Sequence, residues 1–151
     1  MRKRILSLFL ACLLLVSVLL VPTLAADLDP IEVIYFEDGS CIKVYLIEFD
    51  TRANGNKSGS KTYVFENASG VEEWRATLYG SFSYYNGTAT CTSASCDVSI
   101  SKSTWSVGSK SVYKYDNVAQ VDLRMVLSVA GVNSNTYRTL YLECDSDGNL
   151  S

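Results

Sequence analysis

Apolar and polar residues alternate along most of the chain from residue 31 onwards, and short clusters of Gly, Asn, Asp and Ser interrupt the alternation. The alternating runs are rich in Tyr, Val and Thr. A period of two with β-branched and aromatic residues is typical of strands that bury one face, and no stretch has the longer period of an amphipathic helix. The pattern therefore predicts an all-β domain of roughly seven to nine strands with short connections.

Two dipeptides predict tight hairpin turns. Asp38-Gly39 and Asn86-Gly87 each lie between alternating runs, and both dipeptides favour two-residue loops. The first loop would place Val33 opposite Val44 on an apolar face. The second would place Phe82 opposite Cys91. The apolar face of the first hairpin would then consist of Ile31, Val33 and Tyr35 opposite Leu46, Val44 and Ile42.

The other elements follow from the same pattern. Residues 72–85 form the longest alternating run, in which Gly80 indicates a bend or a close backbone approach. Its apolar face consists of Trp74, Ala76, Leu78, Phe82 and Tyr84. The remaining elements are a polar loop over 51–60, a short strand over 61–66, a bulged return strand over 88–100, an alternating strand over 121–129, a turn over 131–135 and a last strand over 136–144. Together they predict an antiparallel β-sandwich, with an immunoglobulin-like topology as one alternative, or a flattened barrel.

The first 25 residues are typical of a cleaved secretory signal peptide. A basic start at Arg2-Lys3-Arg4 precedes an uncharged apolar run over 5–21 and small residues that end at Ala25. This predicts a signal helix over 1–25 and one secreted domain over 26–151. Two alternatives are an uncleaved anchor, since the run is just long enough to span a membrane, and a lipoprotein acylated at Cys12.

Charge narrows the class of partner. Removal of the three basic residues with the signal peptide changes the net charge from −3 to −6. An acidic chain with scattered Lys and Arg repels phosphate backbones, which argues against nucleic acid. We expect no membrane span in the mature chain, and a partner that is an extracellular protein or a glycan.

Four cysteines remain after cleavage, and a secreted chain predicts two disulfides among them with three possible pairings. Cys91 and Cys144 both fall on apolar strand faces, which favours a Cys91–Cys144 core bridge and leaves Cys41 to pair with Cys96. A Cys91–Cys96 bridge would require a loop between them. A four-cysteine zinc site is a further alternative, although it is unusual outside the cell.

Catalytic chemistry has little support. The chain has no histidine, which excludes Ser-His-Asp and Cys-His catalysis, so carboxylates are the remaining candidates. Glu72-Glu73 would point to opposite faces of a strand and is expected to be solvated, and Asp38 serves a turn. Residues 145–149 (Asp-Ser-Asp-Gly-Asn) look like the opening of a calcium loop, but a polar tail is the simpler expectation. We expect no catalytic residue, cofactor or metal.

Aromatic residues give one candidate binding face. The chain has ten tyrosines, five of which gather near the Asn86-Gly87 end of the predicted strands. They are Tyr79, Tyr84, Tyr85, Tyr113 and Tyr115. Exposed tyrosines stack on sugar faces or form protein-binding patches, whereas ordinary packing across the sheet is the alternative.

The run Trp74–Ser95 (WRATLYGSFSYYNGTATCTSAS) resembles a group of small secreted proteins from Gram-positive, clostridia-like bacteria. Residues 35–40 (YFEDGS) and 140–151 (LYLECDSDGNLS) are similar to the same group. The resemblance implies Gram-positive secretion and supports the Cys91–Cys144 pair, with Cys41 and Cys96 as additions to the usual pattern. It implies no activity and therefore assigns no functional residue.

These observations predict a secreted, disulfide-stabilised, non-enzymatic β domain that acts as an extracellular binding module. Two hypotheses from other classes are a bacteriocin-like secreted antagonist and a hydrolase that uses two carboxylates. The hydrolase would require two carboxylates to converge in one cleft.

Overall fold

The computed structural model describes residues 28–49 and 55–151, and its regular structure consists of eight strands. The strands are β1 Glu32–Tyr35, β2 Cys41–Phe49, β3 Asn56–Glu66, β4 Glu72–Tyr85, β5 Thr88–Ile100, β6 Trp105–Tyr115, β7 Val118–Val129 and β8 Val132–Glu143. The described residues contain no helix, which confirms the all-β class. The predicted signal peptide and Cys12 lie outside the described residues. No helix in the described part of the chain is long and apolar enough to cross a membrane.

The strands form two antiparallel sheets that pack face to face. Sheet A has the order β1-β2-β3-β4-β5 and sheet B the order β6-β7-β8, so every sheet neighbour is also the next strand along the chain. An immunoglobulin-like topology requires Greek-key connections between non-consecutive strands. The immunoglobulin-like alternative is therefore wrong for the described strands, which form an uninterrupted meander that changes sheets between β5 and β6.

The core lies between the two sheets and is built from alternate residues of the central strands. Trp74, Leu78 and Phe82 of β4 face Met125 of β7 and Leu142 of β8, and all five side chains are at most 1% exposed. Each such buried side chain contributes about 1.5–3 kcal/mol of hydrophobic stabilisation. The predicted apolar face of residues 72–85 is therefore confirmed.

The β1–β2 hairpin differs from its predicted register by one residue. Phe36 N–H donates to the Ser40 carbonyl at 2.9 Å, so the loop has three residues rather than two. Gly39 is the last residue of the loop and has a φ of +80°, the left-handed conformation that ends a three-residue hairpin loop. As a result Ile34, and not Tyr35, lies opposite Ile42. Because side chains alternate along a strand, Glu32 and Ile34 take the positions opposite Val44 and Ile42 that were predicted for Val33 and Tyr35.

Strand β3 is longer than the sequence predicted. Residues 56–60, predicted as part of a mobile polar loop, pair with β4 along their whole length, and residues 58–60 also pair with β2. The Ser58 hydroxyl donates to the Ser81 hydroxyl at 3.0 Å on the outer face of sheet A. Gly59 lies beneath the side chain of Leu150, so the absence of a side chain there makes room for the C-terminal residues. Polar and Gly-rich composition was therefore a poor guide to this strand.

The β4–β5 hairpin confirms its prediction. Asn86 and Gly87 have φ values of +52° and +76°, the left-handed pair that a two-residue turn of this kind requires. Phe82 lies opposite Cys91, and the next pair is Ser81 with Ser93, which leaves Thr92 as the extra residue of a bulge. Because of this bulge, which the sequence predicted, Cys96 points into the core as Cys91 does, although the two are five positions apart.

The C-terminal end folds back on the domain rather than ending as a polar tail. The β7–β8 turn is at Ala130-Gly131, so β8 begins earlier than the predicted strand over 136–144. Beyond β8, the Asp145 carboxylate accepts hydrogen bonds from the backbone N–H groups of Asp147 and Asn149 at 2.9 and 2.8 Å. This turn returns Leu150 to pair with Cys144 and to lie buried in the core.

Basic and hydroxyl side chains cover parts of the sheet edges. Lys110 and Lys114 of β6 donate to the carbonyls of Cys96 and Thr92 on β5, at 2.5 and 2.7 Å. At the other side of the sandwich, the Tyr63 hydroxyl donates to the Tyr141 carbonyl at 3.2 Å. Unpaired strand edges can form hydrogen bonds with strands of other chains, and positively charged side chains at the edges disfavour such pairing.

Candidate binding face

The outer face of sheet B carries tyrosines around a polar centre, and we call it the tyrosine face. Strand register places its side chains in four rows across β6, β7 and β8. The rows are Tyr115–Val118–Glu143, Tyr113–Gln120–Tyr141, Ser111–Asp122–Thr139 and Ser109–Arg124–Tyr137. They face away from the core because the intervening residues of β7, Ala119, Val121 and Leu123, are buried.

Four tyrosines of this face are solvent-exposed. Tyr113, Tyr115, Tyr137 and Tyr141 are between 40% and 66% exposed. Their rings combine a large apolar surface with a polar edge, which suits them to contacts that are half dry and half wet. Four such residues on one three-stranded sheet make this face a candidate binding surface.

A hydrogen-bonded chain of side chains crosses the centre of the tyrosine face. The Tyr115 hydroxyl donates to Oε1 of Gln120 at 2.8 Å, and Nε2 of Gln120 donates to Oδ1 of Asp122 at 3.0 Å. The Thr139 hydroxyl donates to the same Oδ1 at 2.9 Å. Within the described residues Oδ2 of Asp122 accepts no hydrogen bond. The carboxylate is thus held in place by one oxygen and offers the other as an acceptor.

A shallow depression of about 360 Å³ lies beside Asp122. Its rim includes Ser109, Ser111, Thr139 and the ring of Tyr137, so its lining combines hydroxyl groups with an aromatic surface. Small polar side chains at its rim leave the ring accessible from the solvent. The depression therefore extends the tyrosine face towards the middle of the sheet.

Arg124 forms the lower boundary of the depression. Its Nη2 donates to the Gly108 carbonyl at 3.1 Å across a bulge in β6. A Cβ at Gly108 would lie 2.6 Å from Nε of Arg124, so the absence of a side chain at this position leaves room for the guanidinium. The bulge thus orients a positive charge two rows below Tyr113 and Tyr141.

The five tyrosines selected from the sequence do not form one face. Tyr113 and Tyr115 lie on the tyrosine face, but Tyr79 and Tyr85 lie on the outer face of sheet A, on the opposite side of the sandwich. Tyr84 points towards the core, and its ring packs on Gly148. Proximity along the chain failed as a guide because the chain changes sheets between β5 and β6.

Sequence reasoning missed most of the residues of the tyrosine face. Tyr137 and Tyr141 belong to β8 and join the face only because β8 pairs with β7. Gln120, Asp122 and Arg124 alternate with buried apolar residues along β7, and this alternation was visible in the sequence. A search for polar side chains on the outer face of a central strand would have found them.

The outer face of sheet A has a second groove, of about 320 Å³. Its apolar floor includes Ile47 and Val64, and Leu28 lies at its border. Its charged residues already pair within the chain, in the ion pairs Lys43–Glu66 and Arg75–Glu72. Its carboxylates therefore have partners within the chain, unlike Oδ2 of Asp122 on the tyrosine face.

The adjacent carboxylates of the sequence do point to opposite sides, but Glu73 is not solvated as expected. Glu73 is 5% exposed, and a bulge at the start of β4 turns its side chain towards sheet B. Its carboxylate accepts hydrogen bonds from Trp105 Nε1, Lys102 Nζ and Asn67 Nδ2 at 2.6, 2.5 and 3.1 Å. Burial raises the pKa of Glu73, but these bonds and the Lys102 charge outweigh it and lower the pKa below its ordinary value. These partners fix Glu73 as a structural residue.

The backbones of Cys91 and Cys144 are hydrogen-bonded to two adjacent residues. Cys91 N–H donates to the Asp116 carbonyl at 2.6 Å, and Cys144 N–H donates to the carbonyl of the next residue, Asn117, at 3.1 Å. Both side chains belong to the core cluster. All four described cysteines are buried thiols in the structure. Burial raises the pKa of Cys144, and a neighbouring Cys91 thiolate would raise it further.

The predicted Cys41–Cys96 pair is inconsistent with the fold. Cys41 is on β2 and Cys96 on β5, so β3 and β4 separate them by about 14 Å. Cys96 faces the core beside Leu78, whereas Cys41 faces the opposite side of sheet A. Disulfides require Cα atoms within about 7 Å. Cys91 and Cys96 are separated by about 13 Å along β5, since their partners Phe82 and Leu78 are four residues apart.

No group of three or more Cys, Asp or Glu side chains able to hold a metal ion is found within 28–49 and 55–151. The Asp145 carboxylate, which suggested a calcium loop, is instead occupied by the backbone of its own turn. Comparison with family models, with curated proteins and with solved structures finds no match for this chain.

Proposed function

We propose that the chain is a secreted, non-enzymatic binding domain that holds an extracellular ligand on the tyrosine face. The observation that carries the proposal is the combination of exposed tyrosine rings with the unused Oδ2 of Asp122 on one sheet. Rings offer apolar contact area with little loss of side-chain entropy, and fixed polar groups give orientation. The N-terminal sequence, typical of a signal peptide, supports an extracellular location.

The tyrosine face suits binding better than catalysis. Among the four rows, neither the row of Asp122 nor the two rows beside it contain a second carboxylate, whereas carboxylate-based hydrolysis needs two carboxyl groups that converge on one bond. Glu143 is on the same face but lies two rows away from Asp122, so the two carboxylates do not converge. A binding role requires neither a second carboxylate nor a proton donor.

The test of this proposal uses the secreted chain on a panel of surfaces. Purified protein is mixed with intact Gram-positive cells, isolated cell walls, cellulose and chitin, and the sedimented fraction is measured. We expect retention on at least one surface, and loss of that retention when Tyr113, Tyr137 and Tyr141 are replaced together by Ala. The matched control replaces the exposed Tyr35 and Tyr85 of sheet A. Retention on no surface, or equal loss in the control, would overturn the proposal.

We further propose that secretion leaves a single disulfide, Cys91–Cys144, and two thiols. The two cysteines lose their hydrogens by exchange with an external disulfide, which is itself reduced to two thiols. The hydrogen bonds of Cys91 and Cys144 to the adjacent residues Asp116 and Asn117 support this pair, and the distances across and along sheet A disfavour Cys41–Cys96 and Cys91–Cys96. The bond would tie the end of β8 to β5 and would stabilise the domain by about 2–4 kcal/mol.

Peptide mapping of the secreted protein under non-reducing conditions tests the pairing. After alkylation of free thiols, we expect one linked peptide pair containing Cys91 and Cys144, with Cys41 and Cys96 alkylated. A linked pair that contains Cys41 and Cys96, or complete alkylation of Cys91, would contradict the proposal.

A further inference from the structure

We propose that the ligand of the tyrosine face is a neutral, extended, β-linked polysaccharide whose rings stack on Tyr113 and Tyr141. This inference rests on the proposed binding function and adds the class of ligand and its direction. The chain of sugars would cross the three strands of sheet B rather than run along them. Gln120 lies beneath it, between the two tyrosines.

The spacing of the two tyrosines is the first argument. Tyr113, Gln120 and Tyr141 occupy one row on β6, β7 and β8, so all three point to the same side of the sheet. Two interstrand steps separate the tyrosines by roughly 10 Å. This is close to the distance between every second ring of an extended β-linked glycan. Two exposed rings at that distance can each stack on a sugar of the same chain.

The chemistry between the rings is the second argument. A pyranose ring presents C–H groups on its faces and hydroxyl groups around its edge, so a binding site needs aromatic surface and hydrogen-bonding groups in alternation. Asp122 and Thr139 lie one row below the two tyrosines. The free Oδ2 of Asp122 can accept from a sugar hydroxyl, and the depression beside it has room for groups that project from the sugar chain.

The same carboxylate indicates a neutral ligand. A polyanionic glycan would place negative charge beside Asp122 and near Glu143. Arg124 and Arg138 also border the depression, but their guanidinium groups already donate to the carbonyls of Gly108 and Tyr137. The whole secreted chain carries a calculated net charge of −6 after signal removal, which adds a repulsive field for polyanions. A neutral glycan is repelled neither by these carboxylates nor by the net negative charge of the chain, and its hydroxyl groups can donate to Asp122.

Affinity as a function of glycan length tests the inference. Isothermal titration calorimetry is carried out with β-1,4-linked oligosaccharides of glucose and of N-acetylglucosamine, from dimers to hexamers. We expect affinity to rise steeply once the oligosaccharide can reach both tyrosines. Tyr113→Ala and Tyr141→Ala should each lower the affinity for hexamers roughly tenfold and remove the dependence on length. Tyr113→Phe, which keeps the ring, should restore most of the loss.

Tyr85→Ala is the matched control, because Tyr85 is 78% exposed but lies on sheet A. The inference is overturned if neither series binds, or if binding is independent of length and of Tyr113 and Tyr141. If the protein still sediments with cells under these conditions and the triple tyrosine variant does not, the binding function stands and only the glycan class is rejected. Binding lost in Tyr85→Ala but kept in Tyr113→Ala would reject the face itself.

Discussion

The indole N–H of Trp105 donates a 2.6 Å hydrogen bond to Oε2 of Glu73, and this bond joins the two sheets at one end of the core. Glu73 is the second residue of β4 in sheet A, and Trp105 is the first residue of β6 in sheet B. The Trp105 ring also lies edge-on to Trp74 and Phe65, at centroid distances of 6.2 and 5.5 Å. The buried carboxylate of Glu73 therefore holds Trp105, the first residue of sheet B, in an aromatic cluster with two residues of sheet A.

Replacement of Glu73 by Gln should reduce stability at neutral pH and alter its pH dependence. The buried hydrogen bonds to the charged carboxylate are worth about 1.5–3 kcal/mol in such contexts. Because the folded-state pKa of Glu73 is lowered, its contribution is fully present above the unfolded pKa and is lost as pH falls through the folded pKa. Urea unfolding across a pH series should therefore show a stability difference that is complete above about pH 4.5, the ordinary pKa of a glutamate, and that disappears as the pH falls through the lowered pKa of Glu73.

The matched control for this prediction is Glu72→Gln. Glu72 pairs with Arg75 on the outer face, where about half of the arginine side chain is exposed. Exposed pairs are worth about 0–1 kcal/mol, so the control should lose less stability at neutral pH. Equal losses in the two variants would show that Glu73 does not connect the sheets.

Gly148→Ala should destabilise the domain more than Gly131→Ala. Both glycines have positive φ values, +87° and +79°, so either substitution costs about 1–2 kcal/mol of backbone strain. At Gly148 the new Cβ would also lie 2.6 Å from the Tyr84 ring, whereas Gly131 has nothing within 4 Å. The difference between the two unfolding free energies measures the Tyr84 contact. Equal losses would mean that the C-terminal turn does not pack on Tyr84.

Leu150→Ala should cost about 2–5 kcal/mol, because Leu150 is 7% exposed and fills the space above Gly59. Leu28→Ala is the control, since Leu28 is 45% exposed and its truncation should cost no more than about 0.5 kcal/mol. Chemical denaturation of the two variants gives both values. A small loss for Leu150→Ala would indicate that the last residues do not belong to the core.

Loss of the two lysines that cover β5 should promote self-association. Lys110→Met together with Lys114→Met removes both donors to the β5 carbonyls but keeps the apolar stems. An uncovered edge strand is a template for pairing with another chain. Sedimentation velocity at increasing concentration should then show association that the wild type and a Lys43→Met control do not show. An unchanged monomer would mean that other features protect this edge.

Local turn chemistry explains which parts of the fold could be predicted from the sequence. The β4–β5 hairpin was predictable because Asn86-Gly87 adopts the paired left-handed conformation that only a few residues tolerate, and the alternating pattern of both strands agrees with it. The β1–β2 register was not, since Asp38-Gly39 fits both a two-residue loop and the three-residue loop found here. The pattern alone does not decide between loops that differ by one residue.

The burial of Glu73 and the composition of the tyrosine face depended on tertiary structure. A bulge turns Glu73 inward, and nothing in its immediate sequence indicates that Trp105 will lie opposite it. The tyrosine face combines residues of three strands, so it could be recognised only once the β6-β7-β8 order was known. The polar alternation of β7 was the one part of the face that the sequence displayed.

Amide chemical shift mapping distinguishes a ligand that binds on sheet B from one that binds on sheet A. The isotope-labelled secreted chain is titrated with the hexamers of β-1,4-linked glucose and N-acetylglucosamine. We expect shift changes centred on Tyr113, Gln120, Asp122 and Tyr141, with little change at the Tyr79 and Tyr85 positions of β4. Changes centred on sheet A, or no changes with either hexamer, would rule out glycan binding on the tyrosine face.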